Sequence, residues 1–156
     1  MSKEQYMIKN DRYNDMILRE LSLHGRISNA ELAERIGLSA SACLRRVQEL
    51  ENSGLIKGYR AIFDSELMGN GFIAYVTVGL GEHTKGSQHD FERAITLAPE
   101  VKECHNVTGS FEYILRVETQ NLKTYKVFHT DVLGTLPQVR TISTHVVMES
   151  AKDLRA

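Results

Sequence analysis

Two cysteines, two prolines and no apolar run of membrane length leave few options open for this chain of 156 residues. Cys43 and Cys104 fall in different predicted domains, and neither has a partner at metal-ligand spacing. That excludes a disulfide framework and a thiolate metal site, and it predicts free thiols in a reducing compartment. A membrane span requires roughly 18 consecutive apolar residues, which the sequence lacks, and Met1 to Asn10 has no apolar signal-peptide core. The expected location is the cytoplasm. Charge of either sign is also scarce in surplus, with a formal net value of -1. Bulk attraction to a polyanion is therefore excluded, so any nucleic-acid contact must come from a local cluster or from several copies acting together.

Catalytic constellations are missing as well. His105, His129 and His145 fall on different predicted elements, and no nucleophile, base and orienting acid occur in a familiar local motif. His83 and His89 flank a loop at a spacing that fits no zinc pattern. Neither an enzyme nor a metal or organic cofactor is expected.

What is present divides the chain. Residues 1–60 carry 10 Lys/Arg against 8 Asp/Glu, and the remainder carries 9 against 12. The first part has helical periodicity, whereas the second is rich in Val, Ile, Thr and Tyr. The predicted organisation is a helical domain over 1–60, a linker over 61–69 and a second domain over 70–156.

In the first domain Asp11 caps a helix with Ile17, Leu18 and Leu21 on one face, ended near Gly25. Ser28 and Glu31 have capping-box spacing with Ile27 as the hydrophobic staple, and Leu32, Ala33 and Ile36 are buried before Gly37 stops the helix. Ser39 caps a third helix only two residues later. Its expected inward stripe is Cys43, Leu44, Val47 and Leu50, which leaves Ser41, Ala42, Arg45, Arg46 and Glu49 outside or on the flanks. So short a turn forces the second and third helices to cross steeply, and the third then projects toward a DNA major groove about 12 Å wide. Arg45 and Arg46 can donate to guanine or phosphate, and the helix start with Ser39 and Ser41 suits a phosphate. Leu55 to Phe63 reads as a short hairpin or extended arm, either a wing on which Lys57 adds a phosphate contact or a plain linker.

In the second domain the period of two from Phe72 to Leu80 predicts a strand. Ser87–Ala98 predicts a helix terminated by Pro99, Val101–Val107 a second strand and Phe111–Glu118 a third, with Gly109-Ser110 as the turn between them. Asn121 caps a further helix using Leu122, Tyr125, Phe128 and Val132, and Arg140–Met148 forms the last strand after Pro137. The expected fold class is α+β, a winged helix-turn-helix followed by a ferredoxin-like βαββαβ sandwich. The sheet face away from the helices is expected to be apolar and covered by a second copy. In the hairpin Thr108-Gly109-Ser110-Phe111-Glu112, turn N–H groups can receive a carboxylate and Glu112 can meet an ammonium, the two charges of a free amino acid. The same five residues also make an ordinary turn.

Asp11-Arg12 with Asp15 and Ile17-Leu18, Gly25-Arg26-Ile27-Ser28, Gly37-Leu38-Ser39, Cys43 with Arg46-Val47, Leu50-Glu51, Gly54 with Ile56 and Gly58-Tyr59, Cys104-His105, Gly109 with Phe111 and Tyr113, and Val146-Val147-Met148-Glu149 occur in an order that resembles the leucine-responsive and asparagine-responsive (Lrp/AsnC, feast/famine) family of transcriptional regulators. The resemblance runs from Asp11 to Glu149. It implies a regulator that binds double-stranded promoter DNA as a homodimer assembling into an octamer. It also implies a free amino acid as effector, leucine or methionine being favoured, held by His105, Thr108, Gly109, Ser110, Phe111, Glu112, Tyr113, His145, Val146 and Val147. The chain departs from the family where aspartates are frequent in the hairpin and it has Ser110 and Glu112, and where proline is frequent and it has Ala40 and Ala42. The alternative is a stand-alone amino-acid sensor or interaction protein without DNA binding.

Overall fold

A computed structural model describes residues Asp11 to Asp153, so the expectation placed on Met1 to Asn10 lies outside the described residues. The chain divides into two compact units between Ala61 and Ile62.

The first unit holds three helices, α1 (Arg12–Leu23), α2 (Asn29–Ile36) and α3 (Ala40–Asn52). Each begins where a side-chain oxygen takes an N–H that the helix cannot satisfy internally: Asp11 accepts from Asn14, Ser28 from Glu31 and Ser39 from Ala42. Only half of the expected capping box forms, because the Glu31 carboxylate turns along the helix to Arg35 at 2.6 Å instead of reaching back to Ser28. Gly37 ends α2 at φ 72°, a left-handed conformation open to glycine at little cost, and only two residues separate the end of one helix's hydrogen bonding from the cap of the next. Ile17, Leu32, Ala33, Ile36, Cys43 and Leu50 form the core of this unit, with Ile27, Val47 and Ile56 packed against them. Truncation of a buried side chain such as Leu50 to alanine costs about 2–5 kcal/mol.

After α3 no strand forms between 53 and 71, so the segment from Leu55 to Phe63 is an extended arm and not a hairpin. Two hydrogen bonds tie its start to α3: Ile56 N–H donates to the Leu50 carbonyl at 3.2 Å and the Tyr59 hydroxyl to Glu51 at 2.9 Å.

The second unit runs β1 (Phe72–Leu80), α4 (Lys85–Thr96), β2 (Val101–Asn106), β3 (Tyr113–Thr119), α5 (Leu122–Asp131), a 3-10 turn (Leu133–Thr135) and β4 (Val139–Val146). The antiparallel sheet has the order β2-β3-β1-β4, the split βαβ arrangement of a ferredoxin-like sandwich. Period-two alternation sends Ala74, Val76 and Val78 of β1 and Tyr113, Leu115 and Val117 of β3 into one core with Phe91 and Ile95 of α4 and Tyr125 and Phe128 of α5. The α4 cap is Thr84, so the helix starts two residues earlier than Ser87. Asn121 and Thr124 form a full capping box on α5. Leu122, expected inside, is 64% exposed because it occupies the first turn, before the helix meets the sheet.

The sheet face away from the helices differs from the apolar surface expected. Ile73, Tyr75 and Thr77 are on it, but so is an ion pair between Arg116 and Glu118, whose side chains are 10% and 9% exposed. Segments on either side of the sheet residues screen this pair: the Ser65 hydroxyl donates to Glu118 at 3.1 Å, and Asp153 lies 3.7 Å from Arg116. Both charges are compensated, which is what makes their withdrawal from water tolerable.

Candidate nucleic-acid interface and effector site

With Ser39 as its cap and Cys43 and Leu50 facing the core, α3 exposes Ala40, Ser41, Leu44, Arg45, Gln48 and Glu49. The Arg45 guanidinium pairs with Glu49 at 2.9 Å, one helical turn on, and both side chains are more than half exposed. A pair so open to solvent holds its partners weakly, so Arg45 is free to exchange Glu49 for another acceptor. Ala42 is partly buried, and Ser39 and Ser41 share a hydroxyl contact of 3.3 Å at the helix start. Lys57 is exposed on the extended arm.

Arg46 is placed differently from the outward position expected of it. Its Nη1 donates to both carboxylate oxygens of Asp11, at 3.1 and 2.8 Å, and to Asn14 Oδ1 at 3.0 Å, while the guanidinium lies 5.4 Å from the centre of the Tyr13 ring. Asn14 is buried, and its N–H in turn donates to Asp11. That backbone bond first, and Arg46 second, hold the Asp11 carboxyl below its usual range. Arg46 thus fastens α3 to the start of α1 through Nη1 of its guanidinium. Leu44, assigned to the core, is instead 46% exposed on the outer face. Sequence reasoning also passed over Gln48, one turn beyond Leu44. An outward glutamine can pair with the N6/N7 edge of adenine, and an outward apolar side chain can meet a thymine methyl group.

In the second unit the hairpin between β2 and β3 turns through residues 107–112. The Val107 N–H donates to the Glu112 carbonyl at 2.8 Å, and the Glu112 N–H reaches Val78 of β1 at 3.1 Å. Gly109 has φ 132°, a conformation that side chains rarely adopt, and nothing lies within 4 Å of where a Cβ would stand. Thr108, Gly109 and Ser110 are exposed and Phe111 is half-buried. Glu112 does not point freely outward: Oε2 accepts the Leu80 N–H at 2.7 Å and Oε1 lies 3.1 Å from Nδ1 of His83. Leu80 and His83 are therefore neighbours of this site, a place that the sequence, which offered His83 only as a loop histidine beside His89, did not give them.

The remaining effector candidates separate. Tyr113 is buried in the core against Phe91, its hydroxyl donating to Glu92 at 2.7 Å, and burial followed by Glu92 pushes its pKa up to about 12. It supports the hairpin from below. His105 lies on the opposite sheet face beside Glu103, at 3.3 Å. His145, Val146 and Val147 line an open cleft with Tyr75 and the chain following β4. Val147 bonds to Ile73 whereas Glu112 bonds to Val78, so within one chain these groups are five β1 residues apart, about 17 Å. One chain does not bring all ten residues together.

Cys43 and Cys104 are free thiols. Among the described residues no group of His, Cys, Asp and Glu is arranged to hold a metal, and no helix is long and apolar enough to cross a membrane.

Residues 11–57 match a winged helix-turn-helix DNA-binding model, and residues 73–156 match the Lrp/AsnC ligand-binding domain. The leucine-responsive regulatory proteins of Escherichia coli and Salmonella typhimurium are 37% identical to the chain over 142 residues, covering 91% of it and 87% of theirs. Among solved structures, a Neisseria meningitidis transcriptional regulator in complex with L-methionine superposes with a TM-score of 0.89 at 30% identity, covering 92% of this chain and 93% of that one. An AsnC family transcriptional regulator from Agrobacterium tumefaciens superposes at 0.87 with 28% identity, covering 92% and 94%. Two matched domains in the order seen in the fold, together with relatives spanning nearly the full length, place this chain in the Lrp/AsnC family of amino-acid-responsive, DNA-binding transcriptional regulators, a family that regulates and does not catalyse.

Proposed function

We propose that this protein binds promoter DNA through the outer face of α3 and that a free amino acid, leucine or methionine, modulates that binding from the hairpin at 107–112. The observation that carries the reading is the division of labour on α3. Arg46 is spent on fastening the helix to α1, while Ser41, Leu44, Arg45, Gln48 and Glu49 are left on its solvent side. Arg45 takes guanine or phosphate, Gln48 takes adenine and Lys57 adds a phosphate contact from the arm. With so little net charge, tight binding requires several such faces on one assembly. A homodimer assembling into an octamer presents them in pairs about 34 Å apart on one side of the duplex.

The hairpin suits a zwitterion because its exposed turn N–H groups and Glu112 offer a donor set and an acceptor within one loop. The leucine-responsive relatives and the methionine complex support an apolar effector side chain. An effector of this kind shifts DNA binding only by favouring one assembly over another, so the coupling must appear in both directions.

Mobility-shift titration against fragments of the protein's own promoter, with and without leucine or methionine, tests the reading, with sedimentation run in parallel. Expected are a salt-dependent shift and an effector-dependent change in its midpoint. Absence of any shift at low salt, with the amino acid still bound in calorimetry, would leave a sensor without DNA binding.

A further inference from the structure

At the end of the sheet beside the hairpin, Gly79 of β1 stands opposite Thr141 of β4, and the register then shifts, so that Leu80 faces Val139 and Arg140 is an extra residue in the ladder. A bulge of this kind bends its strand and re-aims the side chains next to it. Here it goes with a close approach: a Cβ added at Gly79 would meet Thr141 Oγ1 at 2.3 Å. Gly79 does not have a positive φ, so its backbone makes no demand for glycine. What the missing side chain provides is room for the Thr141 hydroxyl.

That hydroxyl is close to Glu112. The same added Cβ would stand 3.7 Å from Glu112 Oε2. Two oxygens at these distances from one point are no more than about 6 Å apart, and a single nitrogen hydrogen-bonded to both of them spans about 4.5 to 6 Å. Among the described residues no hydrogen bond joins the two side chains, and the Thr141 hydroxyl takes no other partner. Both remain within reach of a solute, since Thr141 is exposed and the Glu112 side chain keeps 18% of its surface. An ammonium carries three N–H donors, more than one carboxylate oxygen can serve, and a hydroxyl oxygen is an acceptor with two lone pairs.

We infer that Thr141 is a second contact of the effector ammonium, which sits between its hydroxyl and the Glu112 carboxylate, and that Gly79 is small so that the two can flank one nitrogen. The inference rests on the hairpin reading of where the effector binds. It adds a residue of β4 to a site built so far from the hairpin, and it gives the bulge at Arg140 a function in shaping that site.

Titration calorimetry of the full-length protein with L-leucine and with L-methionine, on wild type, Thr141→Val, Thr141→Ser and Glu112→Gln, tests it. Thr141→Val keeps a β-branched strand residue without the hydroxyl and should bind about tenfold more weakly, whereas Thr141→Ser retains the hydroxyl and should stay within about threefold of wild type. Both should melt like wild type and keep its DNA affinity in the absence of effector, which separates a lost contact from a disturbed fold. Thr141→Val that binds as tightly as wild type overturns the inference, as does an equal loss in Thr141→Ser and Thr141→Val. Loss in Glu112→Gln beside full binding in Thr141→Val leaves the hairpin reading standing without Thr141. Full binding in both variants, or no binding of either amino acid by wild type, overturns the hairpin reading as well.

Discussion

Arg46 of α3 and Asp11 at the cap of α1 are 35 positions apart in the chain and meet at 2.8 Å, with Asn14 completing the contact at 3.0 Å. Neighbouring arginines on one helix thus face different surroundings, Arg46 the start of α1 and Arg45 the solvent. Arg46→Ala should lower the melting temperature of the helical unit, because it removes the hydrogen bonds that Nη1 gives to Asp11 and Asn14 and so loosens α3 from α1. Arg45→Ala should leave the melting temperature within error and weaken operator binding about tenfold, on the order of 1–3 kcal/mol for a base-reading or phosphate-clamping arginine. Thermal melts paired with mobility-shift titrations check both. An Arg46→Ala protein that melts normally and loses only DNA affinity would return Arg46 to the interface.

The same contact sets an acid limit. The Asn14 N–H, and after it Arg46, depress the Asp11 carboxyl below its usual value of 3.8. A carboxyl whose folded pKa lies below its unfolded pKa contributes stability that is complete above the unfolded value and is lost as pH falls through the folded one. The stability difference between wild type and Asp11→Asn should therefore be greatest near neutrality and shrink once the pH drops below about 4. Melting curves from neutrality down to acid conditions check this. A constant gap across the range would remove the charge of Asp11 from the explanation.

Much of this was legible in the sequence, and the misassignments have an identifiable cause. The caps at Asp11, Ser28, Ser39 and Asn121, the stop at Gly37 and the nine-residue alternation of β1 depend on local chemistry, and the structure has them where the residues place them. On α3 the error was angular. At about 100° per residue from Cys43, Val47 lies near 40°, Leu50 near 340° and Arg46 near 300°, while Leu44 lies near 100°. Polarity assigned Leu44 to the core and Arg46 to solvent, but the angles give the reverse, and a buried asparagine and a capping aspartate on another helix make the arginine welcome there. No local pattern reports such a partner. The candidate effector residues failed to converge for a related reason: register decides that His145 sits opposite Tyr75 and Tyr113 opposite Val78, and register is a property of the assembled sheet. His83 was read only as a loop histidine paired with His89, because its partner Glu112 is 29 residues away.

Gly109 tests whether the hairpin matters for its backbone or its emptiness. With φ at 132° and open space around the position, even the small Gly109→Ala change brings strain, while collision is not at issue. Strain of this kind costs on the order of 1–3 kcal/mol, and the loop is expected to relieve it by changing shape. The Ala variant should thus lose most of its amino-acid affinity and little of its DNA affinity in the absence of effector. Calorimetry beside mobility shifts reads the two separately, and equal amino-acid affinities for Gly109→Ala and wild type would place the effector elsewhere.

The last expectation concerns what Glu112 does before an effector arrives. Its two oxygens face the Leu80 N–H at 2.7 Å and the His83 imidazole at 3.1 Å, so the acceptor proposed for the effector ammonium already has a nitrogen against it. An effector ammonium must displace the His83 ring from that oxygen, and the ring yields it readily because it is largely exposed. His83→Ala should therefore bind the effector at least as tightly as wild type, whereas Glu112→Gln, which loses the charge that meets the ammonium, should bind it at least tenfold more weakly. Calorimetry on the two variants checks this, and a loss of affinity in His83→Ala equal to that in Glu112→Gln would make the imidazole a partner of the effector and not its competitor.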